Sequence, residues 1–167
     1  MSSTRTSTSS RLSVHRSPVS LTSLLVGIAF LLVGVMGFIP GITTDYGQLS
    51  WAGPDSHAHL LGVFQVSVLH NVLHLLFGVL GVVLARWSDA AKAYLLVGGA
   101  AYLGLWVYGL VVAQDAQANF VPLNTADDWL HLGLGAGMVL FGLLMPRRTS
   151  TGTAQTYAGG TAGGDVQ

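Results

Sequence analysis

Four long apolar stretches, separated by connections whose charge alternates in sign, constrain this chain more than any other feature. The stretches cover residues 21–39, 60–84, 93–113 and 129–145. Each is close to the ~20 apolar residues that a helix needs to cross a bilayer. Arg5, Arg11 and Arg16 precede the first stretch, Arg86 and Lys92 lie between the second and third, and Arg147 and Arg148 follow the fourth. The two other connections, 40–59 and 114–128, hold no Lys or Arg but carry Asp45, Asp55, Asp115, Asp127 and Asp128. Basic connections stay on the cytoplasmic side of a membrane. The pattern therefore predicts an all-α, integral membrane four-helix antiparallel bundle with both termini inside.

Composition agrees. Charged residues make up 8% of the chain and hydrophobic ones 51%, where a soluble domain carries about 25% charged residues. The net charge of zero hides one basic and one acidic side, a poor match to a nucleic-acid binder. The bilayer itself is the expected partner, with a homo-oligomer or other membrane proteins as further partners. Cys is absent, so disulfides, thiolate chemistry and iron–sulfur clusters are excluded.

The expected layout is a disordered cytoplasmic tail over 1–18, a membrane domain over 19–146 and a second cytoplasmic tail over 147–167. The tails are rich in Ser, Thr, Gly and Arg and have too little apolar surface to fold. Spans are expected over about 21–39, 58–85, 93–113 and 127–145. The first apolar run is longer than the ~7–15 residues of a leader's core and reads as an anchor. Pro40 ends the first helix. Asp55 or Ser56 is expected to cap the second. The run Thr125-Ala126-Asp127-Asp128 reads as an acidic capping box opening the fourth. Gly133 and Gly137 form a GxxxG pair suited to close helix packing, inside the domain or between copies.

Polar residues inside a span are expensive and mark candidate sites. The second stretch holds Gln65, Ser67, His70, Asn71 and His74, with His70 and His74 on one helical face and His59 three turns above. His70 is 16 residues from Arg86, His131 is 16 from Arg147, and Tyr108 is 16 from Lys92. All three therefore sit about 24 Å above the inner boundary. A polar layer of Gln65, Ser67, His70, Asn71, His74, Tyr108 and His131 is expected to meet inside the domain.

The first reading of that layer is an interhelical hydrogen-bond network. The alternatives are a haem with His70 and His131 as axial ligands, a divalent metal on His70, His74 and His131, and a proton relay, quinone pocket or solute path. His70-Asn71-Val72-Leu73-His74 has the spacing of a zinc-protease motif but lacks its Glu, which removes the general base. Ser67 has no intramembrane acid to complete a triad; it reads instead as a hydroxyl bonded back to its own helix. The five outer Asp residues read as a solvated acidic rim, with a divalent cation as the alternative. Trp51, Trp106 and Trp129 are expected at the outer interface and Trp87 at the inner one.

Three runs in order carry a family resemblance: Gly37-Phe38-Ile39-Pro40-Gly41, then Gly62-Val63-Phe64-Gln65-Val66-Ser67-Val68-Leu69-His70-Asn71, then Asn119-Phe120-Val121-Pro122-Leu123-Asn124-Thr125-Ala126-Asp127. They resemble the bacterial, mainly actinobacterial, family defined by domain of unknown function 4383 (DUF4383), over roughly residues 24–144. The resemblance implies a small four-span protein of the bacterial plasma membrane and brings no catalytic residues with it. The expected function is non-enzymatic: structural, envelope-associated or partner-binding. A His-based redox protein and a small transporter or channel subunit are the alternatives.

Overall fold

The computed structural model describes residues 17–147. The two expected tails fall almost wholly outside the described residues. The chain is mainly helical, with α1 (Pro18–Met36), α2 (Val68–Leu84), α3 (Ser88–Val111) and α4 (Thr125–Leu144). Between α1 and α2 lies a small antiparallel sheet of β1 (Thr43–Thr44), β2 (Ala58–Leu60) and β3 (Phe64–Val66), in that order. By length and composition, α1 and α3 are each able to cross a membrane.

Local chemistry sets the helix ends. Ser17 caps α1 by accepting from the Ser20 N–H at 3.3 Å, with Pro18 at the first helical position, where its missing donor matters least. Asn124 caps α4, accepting from the Asp127 N–H at 3.0 Å, while the Asp127 carboxylate accepts from the Asn124 N–H at 3.0 Å. That is the expected capping box, begun one residue earlier than Thr125.

The helices pack as two tight antiparallel pairs. In α1/α2, a Cβ built on Gly27 would stand 2.9 Å from the Gly78 carbonyl oxygen, and one on Gly81 would stand 2.8 Å from the Gly27 Cα. In α3/α4, a Cβ on Gly99 would stand 2.8 Å from the Gly135 carbonyl oxygen, and the reverse distance is 2.9 Å. No side chain fits in such gaps, so glycine lets the backbones touch and gain dispersion contacts along their length. Polar bonds add to this: the Ser23 hydroxyl donates to the Gly81 carbonyl at 3.0 Å, and across the pairs the Tyr94 hydroxyl donates to the Phe77 carbonyl at 3.2 Å. Such interhelical bonds contribute about 0.6–2 kcal/mol each in a membrane. Gly133 and Gly137 meet nothing within 4 Å. The GxxxG pair thus faces away from the described packing, and Gly135 between them makes the contact.

The second helix is shorter than expected. The stretch 58–67 is sheet and turn, and α2 begins at Val68 under a Ser67 cap that accepts from the His70 N–H at 3.1 Å. Asp55 and Ser56 therefore do not cap it, and the Ser67 hydroxyl serves the helix start. The physical reason is the hairpin turn. Leu61 and Gly62 have φ of 54° and 70°, a left-handed pair that ends any helix. Ala58 and Leu60 then alternate with His59 as a strand requires. Ala58, Leu60 and Val66 are buried against Val33 and Met36, so the sheet seals the far end of α1. The third helix is longer than expected and starts at Ser88, which places Lys92 within it.

One carboxylate ties the sheet to α4. The Asp127 Oδ2 accepts from the Gln65 N–H of β3 at 3.1 Å as well as from Asn124. The Asn124 side chain donates to the Val63 carbonyl at 2.8 Å, and the Gly53 N–H donates to the Phe120 carbonyl at 2.8 Å. The two long connections thus form one cap at one end of the helices.

Two stability measurements follow. Gly135→Ala should lose about 1–3 kcal/mol through overpacking, whereas Gly133→Ala should be neutral or slightly stabilising, because its new methyl meets open space. Asp127→Ala leaves two buried N–H groups without their acceptor and should lose about 2 kcal/mol or more; Asp127→Asn keeps a carbonyl oxygen and should lose clearly less. Thermal unfolding of the purified variants reads both.

Candidate functional site

Three imidazoles meet between the helices near their sheet end. His70 and His74 lie one turn apart on α2, stacked with ring centroids 4.7 Å apart. His74 Nδ1 donates to the His70 carbonyl at 3.0 Å, which fixes its ring against its own helix. From α4, the His131 ring reaches to 6.5 Å from that of His70. Of the residues expected in a polar layer, these three are brought together.

Aromatic rings complete it. Tyr102 of α3 meets His131 edge-on at 5.0 Å, and Phe30 of α1 lies 5.6 Å from His74 and 5.3 Å from Tyr102. Phe77 of α2 contacts both Phe30 and Tyr102 at 5.9 Å. Every helix contributes at least one ring. Sequence reasoning missed Phe30, Phe77 and Tyr102. A usable signal was the spacing Tyr94, Gly98, Tyr102, which draws one polar and small face along an otherwise aliphatic α3.

The remaining expected layer residues lie elsewhere. Gln65 is on β3, where its side-chain amide donates to the Ser56 carbonyl at 2.7 Å. His59 pairs with it on β2, so it does not stand above His70 on a helix. Ser67 is the α2 cap. Asn71 is fully buried against α1, where its carboxamide fills the space over Gly37, and neither of its polar side-chain atoms has a partner. Tyr108 lies higher on α3, its hydroxyl donating to the Ala118 carbonyl, but it still lines one cavity with the three imidazoles.

The acidic rim divides. Asp45, Asp55 and Asp115 are exposed. Asp127 and Asp128 are only 2% and 7% exposed, so they are not part of a solvated rim. Asp127 is turned inward by its backbone donors. Asp128 packs over Gly109, and its Oδ1 has no partner. Among the described residues, no group of three or more His or Asp side chains is arranged to hold a metal ion. That geometry lends no support to the three-histidine metal site or to a cation site on the rim. Trp51, Trp87 and Trp129 are exposed, while Trp106 is partly buried with an unpartnered Nε1.

A cavity of about 440 Å³ opens beside the imidazoles. It is bounded chiefly by α2 and α3, with His131 closing one side and Phe120 and Val121 its upper end. A second space of about 90 Å³ lies behind the tier, bordered by all three imidazoles and Asp127. His70 and His131 are 5% and 3% exposed, and the Nδ1 atom of each has no hydrogen-bond partner. A buried polar atom left unpaired is uncommon and calls for an explanation. A hydrogen-bond network within the tier is therefore incomplete at two of its three rings.

No curated protein and no solved structure matches the chain. The family model described as "Domain of unknown function (DUF4383)" matches residues 20–144, a span that takes in all four helices apart from two residues of α1, the sheet and the imidazole tier. The chain belongs to the DUF4383 family.

Proposed function

We propose that this chain is a four-span bundle in the bacterial plasma membrane, with both termini cytoplasmic, and that its role is binding rather than catalysis. The observation that carries the first part is the outward surface. Each helix presents aliphatic side chains outward, such as Leu25 on α1, Leu76 on α2, Val107 on α3 and Leu144 on α4, the last two 51% and 69% exposed. Contiguous apolar surface of this extent is unstable in water and mild in lipid. The 17 residues of α2 extend about 26 Å, near a bilayer's ~30 Å core.

Charge placement supports the orientation. Arg86, Lys92 and Arg147 lie at the end of the helices opposite the sheet, while exposed Asp45, Asp55 and Asp115 lie at the sheet end. Cations belong on the cytoplasmic side, so the sheet cap faces out. Arg147 and Asp89 form an ion pair of 2.8 Å between the α4 and α3 ends. Both are exposed, and such pairs contribute little.

A binding role follows from how the polar groups are used. His74 Nδ1 is taken by backbone, and Asp127 Oδ2 by two backbone N–H groups. Two of the groups suited to proton transfer, His74 and Asp127, thus hold the fold together. The cavity beside them has the size and the apolar lining of a ligand site.

Topology is directly measurable because the chain has no Cys. In intact cells, a membrane-impermeant maleimide should modify His57→Cys and Asp115→Cys. Ser9→Cys and Thr153→Cys should react only after permeabilisation. Labelling of either terminal variant in sealed cells would refute the orientation.

A further inference from the structure

The cavity beside the imidazoles does not end at the tier. A second cavity of about 350 Å³ runs along the same α2/α3 seam toward the basic end, lined by Leu80, Leu84, Ala93 and Val97, and the two share Phe77 and Ala101 as walls. The seam therefore has two different parts. Its upper part has aromatic walls at Phe77, Tyr102, Tyr108 and Phe120 and carries the imidazoles. Its lower part is almost wholly apolar.

We infer that this seam binds one neutral lipid, with a flat oxygen-bearing ring held in the upper cavity and an apolar tail lying along the lower one. A prenylated quinone or quinol has this chemistry. The inference rests on the membrane reading and names the ligand class for it.

Each part of the ligand is argued from the walls. The ring is flat because aromatic side chains prefer stacked or edge-on partners. It carries oxygen because the polar groups among the cavity walls are the imidazoles of His70, His74 and His131 and the hydroxyl-bearing rings of Tyr102 and Tyr108. A neutral imidazole has one donor and one acceptor nitrogen, so it can serve a carbonyl or a hydroxyl. The head is uncharged because no Lys, Arg, Asp or Glu lines either cavity; a lipid phosphate would find no cation there. Entry is lateral. Leu73, Ala101 and Gly104 line the upper cavity and are exposed, so its mouth opens between α2 and α3, toward acyl chains in the membrane reading. The two helices touch sparsely compared with the tight pairs.

Gly104 is the best handle on the proposal. A Cβ there meets nothing within 4 Å, so a larger side chain fits the fold and narrows the mouth. The full chain in nanodiscs is titrated with a naphthoquinone bearing two isoprene units, and with the matched prenyl naphthalene that lacks the oxygens. Affinity is read by tryptophan quenching and stoichiometry by native mass spectrometry. Wild type should bind one quinone saturably. Gly104→Leu and His131→Leu should each weaken it by about tenfold, as should removal of the ligand's oxygens. Gly133→Leu, facing away from the seam, should bind as wild type. Equal affinity for the oxygen-free analogue, or unchanged quinone binding by Gly104→Leu and His131→Leu, would overturn the proposal. So would equal displacement of the quinone by a diacyl phospholipid, which would mark the seam as an acyl groove. Maleimide labelling of the same protein tells these failures apart from a failure of the membrane topology.

Discussion

Backbone contact at glycine is the constraint on which the rest of the molecule depends. At Gly27 with Gly78 and Gly81, and at Gly99 with Gly135, helix axes come closer than any side chain permits. This makes two tight pairs, and it forces the long polar and aromatic side chains elsewhere. They project into the seam between the pairs. The imidazoles of His70, His74 and His131 and the ring of Tyr102 fill its centre. What they do not fill stays open as the cavity along α2 and α3. Tight pairing and a loose seam are two outcomes of one distribution of small and large residues.

The second organising contact is polar and lies at the sheet end. Asp127 opens α4 and at the same time holds β3 through the Gln65 N–H. A single buried carboxylate thereby locks the connection after α1 onto the connection before α4. The cap so formed sits directly over the imidazole tier. It bounds the upper cavity with Phe120 and Val121, so the stability of the cap and the shape of the site are coupled.

Much of this was legible in the residues. The helical stretches follow from apolar length, the Asp127 cap from the run Thr125-Ala126-Asp127-Asp128, the level of His70 and His131 from their distance to the basic residues, and His74 from its place one turn along the same face as His70. The failures have definite causes. The turn at Leu61-Gly62 lies inside an apolar run, so hydropathy alone reads through it. Only the glycine, followed by β-branched and aromatic residues, hints at a hairpin. Tyr108 was expected in the tier in place of Tyr102 because depth was counted from Lys92. The helix starts at Ser88, and from there Tyr102 stands about 21 Å up, near the ~24 Å of His70. Asp127 and Asp128 were expected on a wet rim because sequence gives charge without direction. The inward turn of Asp127 depends on a strand 62 residues away.

In the proposed membrane topology, lipid surrounds the outward aliphatic faces and a ligand enters at the α2/α3 seam. Spin labels placed one at a time at Leu25, Leu76, Val107 and Leu144 in liposomes test this most directly, by comparing collision with oxygen and with a water-soluble nickel chelate. High oxygen and low nickel accessibility at all four positions, with the reverse at His57, is the predicted result. Nickel accessibility at Leu76 and Val107 equal to that at His57 would place those faces in water and contradict the account.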